Sequence, residues 1–437
     1  MKRVARWTAA VAALAVLLPA AAHGSGYAIY EAGAAALGRA GAATASVDDA
    51  TAVFFNPANL TRLARGVHVS VGGNLIQPFT SFAGTAPAPG YGVTEEMTAQ
   101  QFFPPMVYAA TRLGARGAIG AGVFTPYGLG VEWEDPDRFT GRAIVTKADL
   151  QTINGSLVAA WALDDRWSVA AGANVLVPRV ELANRAFIPQ PGGGGALLEV
   201  AKVALESDPE PAYGWNAAVS FHPTDRLLFG AYYRSAIIAK PEGDATFTHL
   251  PTGSAQLDAQ VRAALVNQPV STVLRFPAIA SLGVAWKPAP VWTLEADAVG
   301  YQWSLFRDLP LYFQTTPSRN RVIEENYEDV VQFRVGAEHR LPAFTYRFGY
   351  YFDNYAAPVE SVSPLLPDAA RHGISFGLGK RFGPEGRWSV DAYQLSLIVN
   401  DRDTEGVNRD GFDGEYASYV NLAGLSVAYR FGGGSDR

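Results

Sequence analysis

The sequence predicts an all-β protein: a transmembrane antiparallel β-barrel of about fourteen strands, the even number bacterial barrels use, with a plug of short helices inside the lumen. Three observations carry that prediction. Apolar and polar residues alternate strictly over many segments, short polar turns alternate with long loops, and an export signal is followed by no stretch apolar enough for a spanning helix.

The N-terminus comes first. Lys2, Arg3 and Arg6 precede the uninterrupted apolar run from Ala9 to Leu18, and small residues then permit cleavage after Ala22 or after Gly24. Charged, apolar, small is the order of a secretory signal peptide, too short with those flanks to anchor as a helix. No later run approaches the roughly 18 apolar residues a spanning helix needs. A membrane location must therefore be built from strands.

Alternation identifies those strands. Val331, Phe333, Val335 and Ala337 interleave with Gln332, Arg334, Gly336 and Glu338. Phe344, Tyr346, Phe348, Tyr350 and Phe352 interleave with Thr345, Arg347, Gly349, Tyr351 and Asp353, and Ile374, Phe376 and Leu378 with Ser375, Gly377 and Gly379. Successive side chains of a strand point to opposite faces, so each segment has one oily face and one polar or small face. Charge beside glycine suits a wet lumen, because an Arg turned to mid-membrane lipid costs about 2–4 kcal/mol.

The connections agree. Short turns recur at Gly114–Gly117, Asp164–Arg166, Pro223–Arg226, Lys287–Pro290, Arg340–Pro342 and Gly383–Gly386. Long loops lie near 78–100, 187–211, 239–269, 308–322, 355–370 and 401–415, which is how periplasmic and extracellular barrel ends differ. Trp161 and Trp167, Trp286 and Trp292, and Phe382 and Trp388 flank three of the short turns, as rings at a headgroup boundary would. The last strand runs from Tyr419 to Phe431 with Leu425, Val427, Tyr429 and Phe431 on one face. An open edge in hydrocarbon leaves backbone groups unsatisfied, so the sheet must close.

Two kinds of segment do not alternate. Residues 25–65 read as short helices and turns and form the natural plug of a lumen that side chains alone do not fill. Inside the long loops, Ala196–Leu205 and Ala255–Val266 have helical spacing, the second with Leu257, Val261 and Leu265 on one side. Packing between loops explains such helices as well as a greasy landing surface at the outer mouth does. The organisation is a signal peptide at 1–24, a plug at 25–65, a barrel at 66–431 with long extracellular loops, and a tail at 432–437.

Composition narrows the function. A net charge of −6 offers no footprint for nucleic acid, and the absence of cysteine removes disulfide and thiol chemistry. The six histidines (His23, His68, His222, His249, His339, His372) include no pair at metal-ligand spacing, so neither a metal site nor a cofactor site is expected. No Gly-x-Ser-x-Gly elbow occurs, Gly192–Gly195 reads as a flexible linker, and His339 beside Glu338 and Arg340 reads as a solvated strand end. Convergent acid and base groups are missing, so an enzyme is not expected.

An ordered set of motifs adds to this reading: Ser25-Gly26-Tyr27, Leu37-Gly38-Arg39-Ala40, Asp48-Asp49-Ala50, Asn56-Pro57-Ala58, Tyr127-Gly128-Leu129, Gly214-Trp215-Asn216-Ala217, Tyr233-Arg234-Ser235, Trp303-Ser304, and Pro367-Asp368-x-x-Arg371. Together they cover nearly the whole mature chain, which resembles the FadL family of outer-membrane transporters for long-chain fatty acids and aromatic hydrocarbons. The resemblance implies a monomer in the outer membrane of a Gram-negative bacterium, among lipid and lipopolysaccharide. Its fourteen-stranded barrel would be closed by an N-terminal hatch bearing Arg39, Asp48, Asp49, Asn56, Pro57 and Ala58. Cargo would be caught by loop residues such as Leu197, Leu257, Val261 and Leu265. It would pass to an inner apolar pocket and leave sideways, without an energy source, beside a kinked third strand at Pro126, Tyr127 and Gly128.

Pro126 lacks an N–H for the ladder and Gly128 loosens a strand, which would weaken pairing there; equally, Pro126 would simply end the strand. Asn56-Pro57-Ala58 is either an ordinary turn or a polar contact facing a gap in the wall. Arg185 is the nearest counterpart of the family's carboxylate-binding residue near the end of the fifth strand, displaced by one position, and Arg321 stands two positions from the second such place, at Ile323. A carboxylate cargo and an uncharged hydrocarbon both remain open, as do a general diffusion porin and a structural surface barrel.

Overall fold

The computed structural model describes residues 26–192 and 194–432. The signal peptide, both cleavage positions, Ser25, Gly193 and the tail beyond Gly432 lie outside the described residues.

Fourteen strands form one closed antiparallel barrel. The first strand, Val67–Gly84, pairs along its whole length with the last, Gly414–Phe431, so no edge faces the hydrocarbon. In between, each strand pairs with the next in the chain, through hairpins whose short turns fall where the glycines, prolines and aspartates of the sequence place them. No described helix is long and apolar enough to cross a membrane.

The two faces sort as the alternation requires. Arg334, Glu338, Arg347 and Asp353 are buried toward the lumen, while Val335 and Phe348 between them are about half exposed on the outside. Trp161, Trp167, Trp286, Trp292, Phe382 and Trp388 are all exposed, and all border short turns. The rings stack within this belt: Trp167 on Phe221 at 4.1 Å and Trp292 on His339 at 4.1 Å between centroids.

Two expectations are corrected. The segment Ala196–Leu205 is not a helix: Leu197–Ser207 is a strand that pairs with the far end of the fifth strand, Trp167–Pro189, and continues as Ala212–Thr224 beside its near end. The pairing slips by one residue between Ala186 and Phe187, where an extra residue bulges from the partner. A bulge turns the buried side over mid-strand, and two short alternations of opposite phase imitate helical spacing. The supposed loop 308–322 likewise holds strand pairing, between Asp308–Phe313 and Arg321–Glu324. The helix Ala255–Ala264 does form, capped by Ser254, whose Oγ accepts the Leu257 N–H at 3.4 Å. Its Val261, with Leu265 just after the helix, is buried in one cluster with Val200, Ala201, Ala245 and Phe247, which is the packing between loops that its spacing allowed.

The leading segment fills the lumen. It carries the helical turns Ala34–Leu37, Ala52–Phe55 and Pro57–Arg62, and almost all its side chains are buried. Small residues on both partners let it sit this close: a Cβ on Gly349 of the wall would lie 2.2 Å from the backbone carbon of Arg39.

Candidate functional site at the latched hatch and the broken third strand

The plug is held by the inward charges of the wall. On the ninth strand, Trp292–Tyr301, Glu295 and Asp297 lie on the lumen face. Glu295 Oε1 accepts the Ala45 N–H at 2.6 Å and the Ser46 N–H at 3.3 Å, and its Oε2 accepts from Ser46 Oγ and, at 3.4 Å, from Arg39 Nη1. Asp297 Oδ2 accepts the N–H groups of Ala43 and Thr44 at 2.9 and 3.0 Å. Two carboxylates thus satisfy four backbone donors of a segment too irregular to satisfy its own. Arg347 bridges Glu338 at 2.6 Å and Asp391 at 2.7 Å beneath the plug. Asp48 meets Arg340 at 2.7 Å; burial opposes its ionisation, but Arg340 and Arg381 hold the carboxyl below the usual carboxylate range. Asp49 accepts from the Thr51 N–H at 2.8 Å, just ahead of the helical turn Ala52–Phe55 whose N-cap is Thr51.

Asn56 is fully buried. Its Nδ2 donates to the carbonyls of Thr44 at 2.8 Å and Val219 at 3.2 Å, while Oδ1 accepts the Ala58 N–H and caps the turn Pro57–Arg62. Val219 belongs to the sixth strand, so Asn56-Pro57-Ala58 faces an intact part of the wall, not the gap.

The gap lies elsewhere, in the third strand. That strand comes in two pieces, Gly117–Phe124 and Gly128–Glu132, and between them three residues oppose only two of the fourth strand, Lys147–Ala162. Thr152 compensates with its side chain, donating to the Tyr127 carbonyl at 2.6 Å and accepting the Tyr127 N–H at 3.2 Å. On the other side, the second strand, Pro105–Leu113, pairs only with the first piece. Before Pro105 the chain turns instead to the first strand, where Phe102 and Ile76 exchange backbone bonds of 3.0 and 2.9 Å. Pro104, Pro105 and Pro126 have no N–H to close the seam.

The start of the plug occupies the inside of that break. Ile29 N–H donates to the Pro126 carbonyl at 2.8 Å and Gly128 N–H to the Tyr27 carbonyl at 3.0 Å, with Ala28 opposite Tyr127. A Cβ on Gly128 would sit 2.6 Å from the Ile29 Cδ1, so a larger residue there would push the end of the Ile29 side chain aside. Beside it opens a largely apolar cavity of about 530 Å³. Its lining runs from Tyr27 and Ile29 of the plug, past Phe102 and Leu129 at the seam, to Phe103 and Ile153, which are 68% and 56% exposed on the outer side. It therefore reaches across the wall. Among the described residues the one cation lining it is Arg371, which lies 3.2 Å from Asp353, 3.7 Å from Asp368, and donates to the Gly26 carbonyl at 3.2 Å.

Of the residues singled out from sequence, Tyr127 and Gly128 thus meet the plug at the break, with Pro126 accepting its bond. Arg39, Asp48, Asp49 and Asn56 hold or shape the plug. Arg185, Arg321, Leu197, Leu257, Val261 and Leu265 do not line the cavity. Arg185 pairs with Asp137 at 2.7 Å and Glu199 at 3.3 Å, Arg321 faces Asp410 at 3.8 Å, and Leu197 is 65% exposed on its strand. Glu295 and Asp297 were missed, although charges two apart on an otherwise apolar strand were a usable signal.

Residues 15–431 match the family model described as outer membrane protein transport protein (OMPP1/FadL/TodX). The chain is 24% identical over 444 residues to a long-chain fatty acid transport protein of Escherichia coli O6:H1, covering 97% of this chain and 98% of that one. It is 26% identical over 445 residues to a 47 kDa outer membrane protein of Pasteurella multocida, covering 99% and 100%. Among solved structures, a Pseudomonas aeruginosa FadL homologue superposes with a TM-score of 0.82 at 22% identity, over 93% of this chain and all of that one. The P. putida toluene transporter TodX gives 0.71 at 14% identity, over 94% and 99%. A plugged fourteen-strand barrel with a cavity through its third strand, matched over nearly its whole length, belongs to the OMPP1/FadL/TodX family of transport proteins of the Gram-negative outer membrane.

Proposed function

We propose that this protein is a passive, gated uptake channel for hydrophobic compounds, long-chain fatty acids foremost, and that cargo leaves sideways at the broken third strand. One observation carries this reading: an apolar cavity of about 530 Å³ joins the plugged lumen to the lipid side of the wall at a place where the backbone ladder is interrupted. Such a volume falls in the range of pockets that enclose small organic ligands. Lateral exit avoids water, which is the expensive step for an oily molecule. Two backbone bonds and the edge-on packing of Tyr27 on Tyr127 join Tyr27–Ile29 to Pro126–Gly128, so a shift of this short segment of the plug uncovers the route. Relatives named as long-chain fatty acid transport proteins over nearly the full length favour that cargo.

A second reading, uptake of uncharged aromatic hydrocarbons, is favoured by Arg371: two carboxylates already engage it, so among the described residues the cavity lining offers no further cation for an anionic head group. A porin reading is disfavoured by the filled lumen.

The cysteine-free chain allows a clean test. Ala28 and Tyr127 form a non-hydrogen-bonded antiparallel pair, the kind whose side chains come closest, so Ala28→Cys with Tyr127→Cys ties the plug to the strand. In a deletion strain carrying this variant, uptake of labelled oleate and labelled toluene should fall severalfold when oxidised and recover on reduction. Equal uptake in both states, with the cross-link formed, would rule out the lateral route. The wild-type ratio of the two cargoes decides between the readings.

A further inference from the structure

Arg234 is the charged group that the fold leaves unexplained. It ends the strand piece Leu227–Arg234 on the lumen side and is 2% exposed. Its Nε donates to the Tyr232 hydroxyl at 3.0 Å, its Nη1 has no partner, and no carboxylate among the described residues lies within salt-bridge distance. Its guanidinium carbon stands 4.7 Å from the ring centre of Phe54, 5.1 Å from that of Phe124 and 5.6 Å from that of Tyr232. Arginine does not give up its proton in a protein. The charge is therefore buried as a charge, with aromatic faces as its main company.

Its surroundings share that unfinished character. Asn216 is the cross-strand neighbour of Arg234, and Asn154 is that of Phe124. Asn154, Asn174 and Asn216 are buried, and each keeps one amide atom without a partner: Oδ1 of Asn154, Nδ2 of Asn174 and Oδ1 of Asn216. Either end of such an amide faces a ligand after a flip. Elsewhere in the lumen a buried arginine meets acids, as Arg347 does with Glu338 and Asp391 and Arg39 does with Glu295. Here a guanidinium with a free Nη1 stands on strands neighbouring three amides that each keep one free atom, linked by long contacts of 3.4 Å from Asn154 to Asn174 and 3.5 Å from Asn216 to Ser156. Phe124 directly precedes Thr125, which lines the cavity at the third strand, and Phe54 belongs to the plug.

We infer that Arg234, with the amides of Asn174 and Asn216, is a binding site for the carboxylate head of an anionic amphiphile whose hydrocarbon tail lies in the cavity at the third strand. This inference rests on the uptake reading above and assigns it an anionic cargo. The planar guanidinium offers the paired donors a carboxylate accepts, in a place where water does not compete. Entry of the head group requires the Phe54 ring to give way, so the site is covered by the plug until the plug moves. Arg371, already held by Asp353 and Asp368, is spared from this role.

The test uses the full-length purified protein in detergent, with sodium oleate and oleyl alcohol as probes of equal tail and different head. Arg234→Gln should weaken oleate binding at least tenfold and change oleyl alcohol binding less than twofold. Arg234→Lys, which keeps the charge but loses the fork, should recover part of the oleate affinity. Retained alcohol binding also shows that the variant is folded. An unchanged oleate affinity, or an equal loss for both probes in Gln and Lys variants alike, overturns the inference while leaving the channel reading standing. If wild-type protein binds neither probe, the uptake reading itself fails and this inference with it.

Discussion

Single side chains decide how firmly the plug sits. Asn56 closes three hydrogen bonds from a fully buried position, and its removal leaves the Thr44 and Val219 carbonyls and the Ala58 N–H without that partner. A buried group left unsatisfied costs about 1–3 kcal/mol, and a lost helix cap about 1. Asn56→Ala should therefore loosen the plug and lower cargo uptake in cells while the barrel, whose ladder it does not join, still migrates as a folded species on a cold gel. The sequence made Asn56 a candidate through its motif alone. Which carbonyls it serves depends on the sixth strand, 163 residues away.

At the scale of elements, the outer loops carry their own chemistry. Glu325 follows the strand piece Arg321–Glu324, outside the spanning barrel, and its carboxyl is pushed up to about 8, by burial first and by Asp410 second, against the pull of Arg409. A carboxyl whose folded pKa is raised favours the packed loop fully below its unfolded value near 4.3, and that stability is lost as pH rises through the folded value. The packing around Tyr327 and Trp303, whose rings lie 6.2 Å apart, should accordingly loosen as pH rises through about 8. Limited proteolysis of loop 314–329 between pH 6 and 9 measures this, and Glu325→Gln should abolish the pH dependence. The strands themselves were legible from alternation, because a period of two survives wherever one face meets lipid and the other meets polar groups. The sixth strand was not legible at Leu197–Ser207, where a bulge reversed the phase.

For the whole molecule, the question is what keeps a wide barrel shut. The carboxylates of Glu295 and Asp297 accept four backbone N–H groups of the plug, and hydrogen bonds to charged groups contribute about 1.5–3 kcal/mol each. Glu295→Gln with Asp297→Asn keeps the shapes and removes the charges. In planar bilayers the wild type should be nearly silent, and the double variant should show openings; a silent double variant would mean the plug is held by packing alone. The sequence by itself determined that this chain is a barrel, which face of the regularly alternating strands meets lipid, where the short turns fall and that the leading segment fills the lumen. Those are consequences of local periodicity, and local order survives in a string of residues. Only the tertiary structure decided that Tyr27–Ile29 covers the third-strand break, that Arg185 and Arg321 lie away from the cavity, and that Arg234 stands without an acid. Each depends on groups brought together from strands far apart in the chain, and a barrel's closure sets those meetings through register and stagger, which no single segment records.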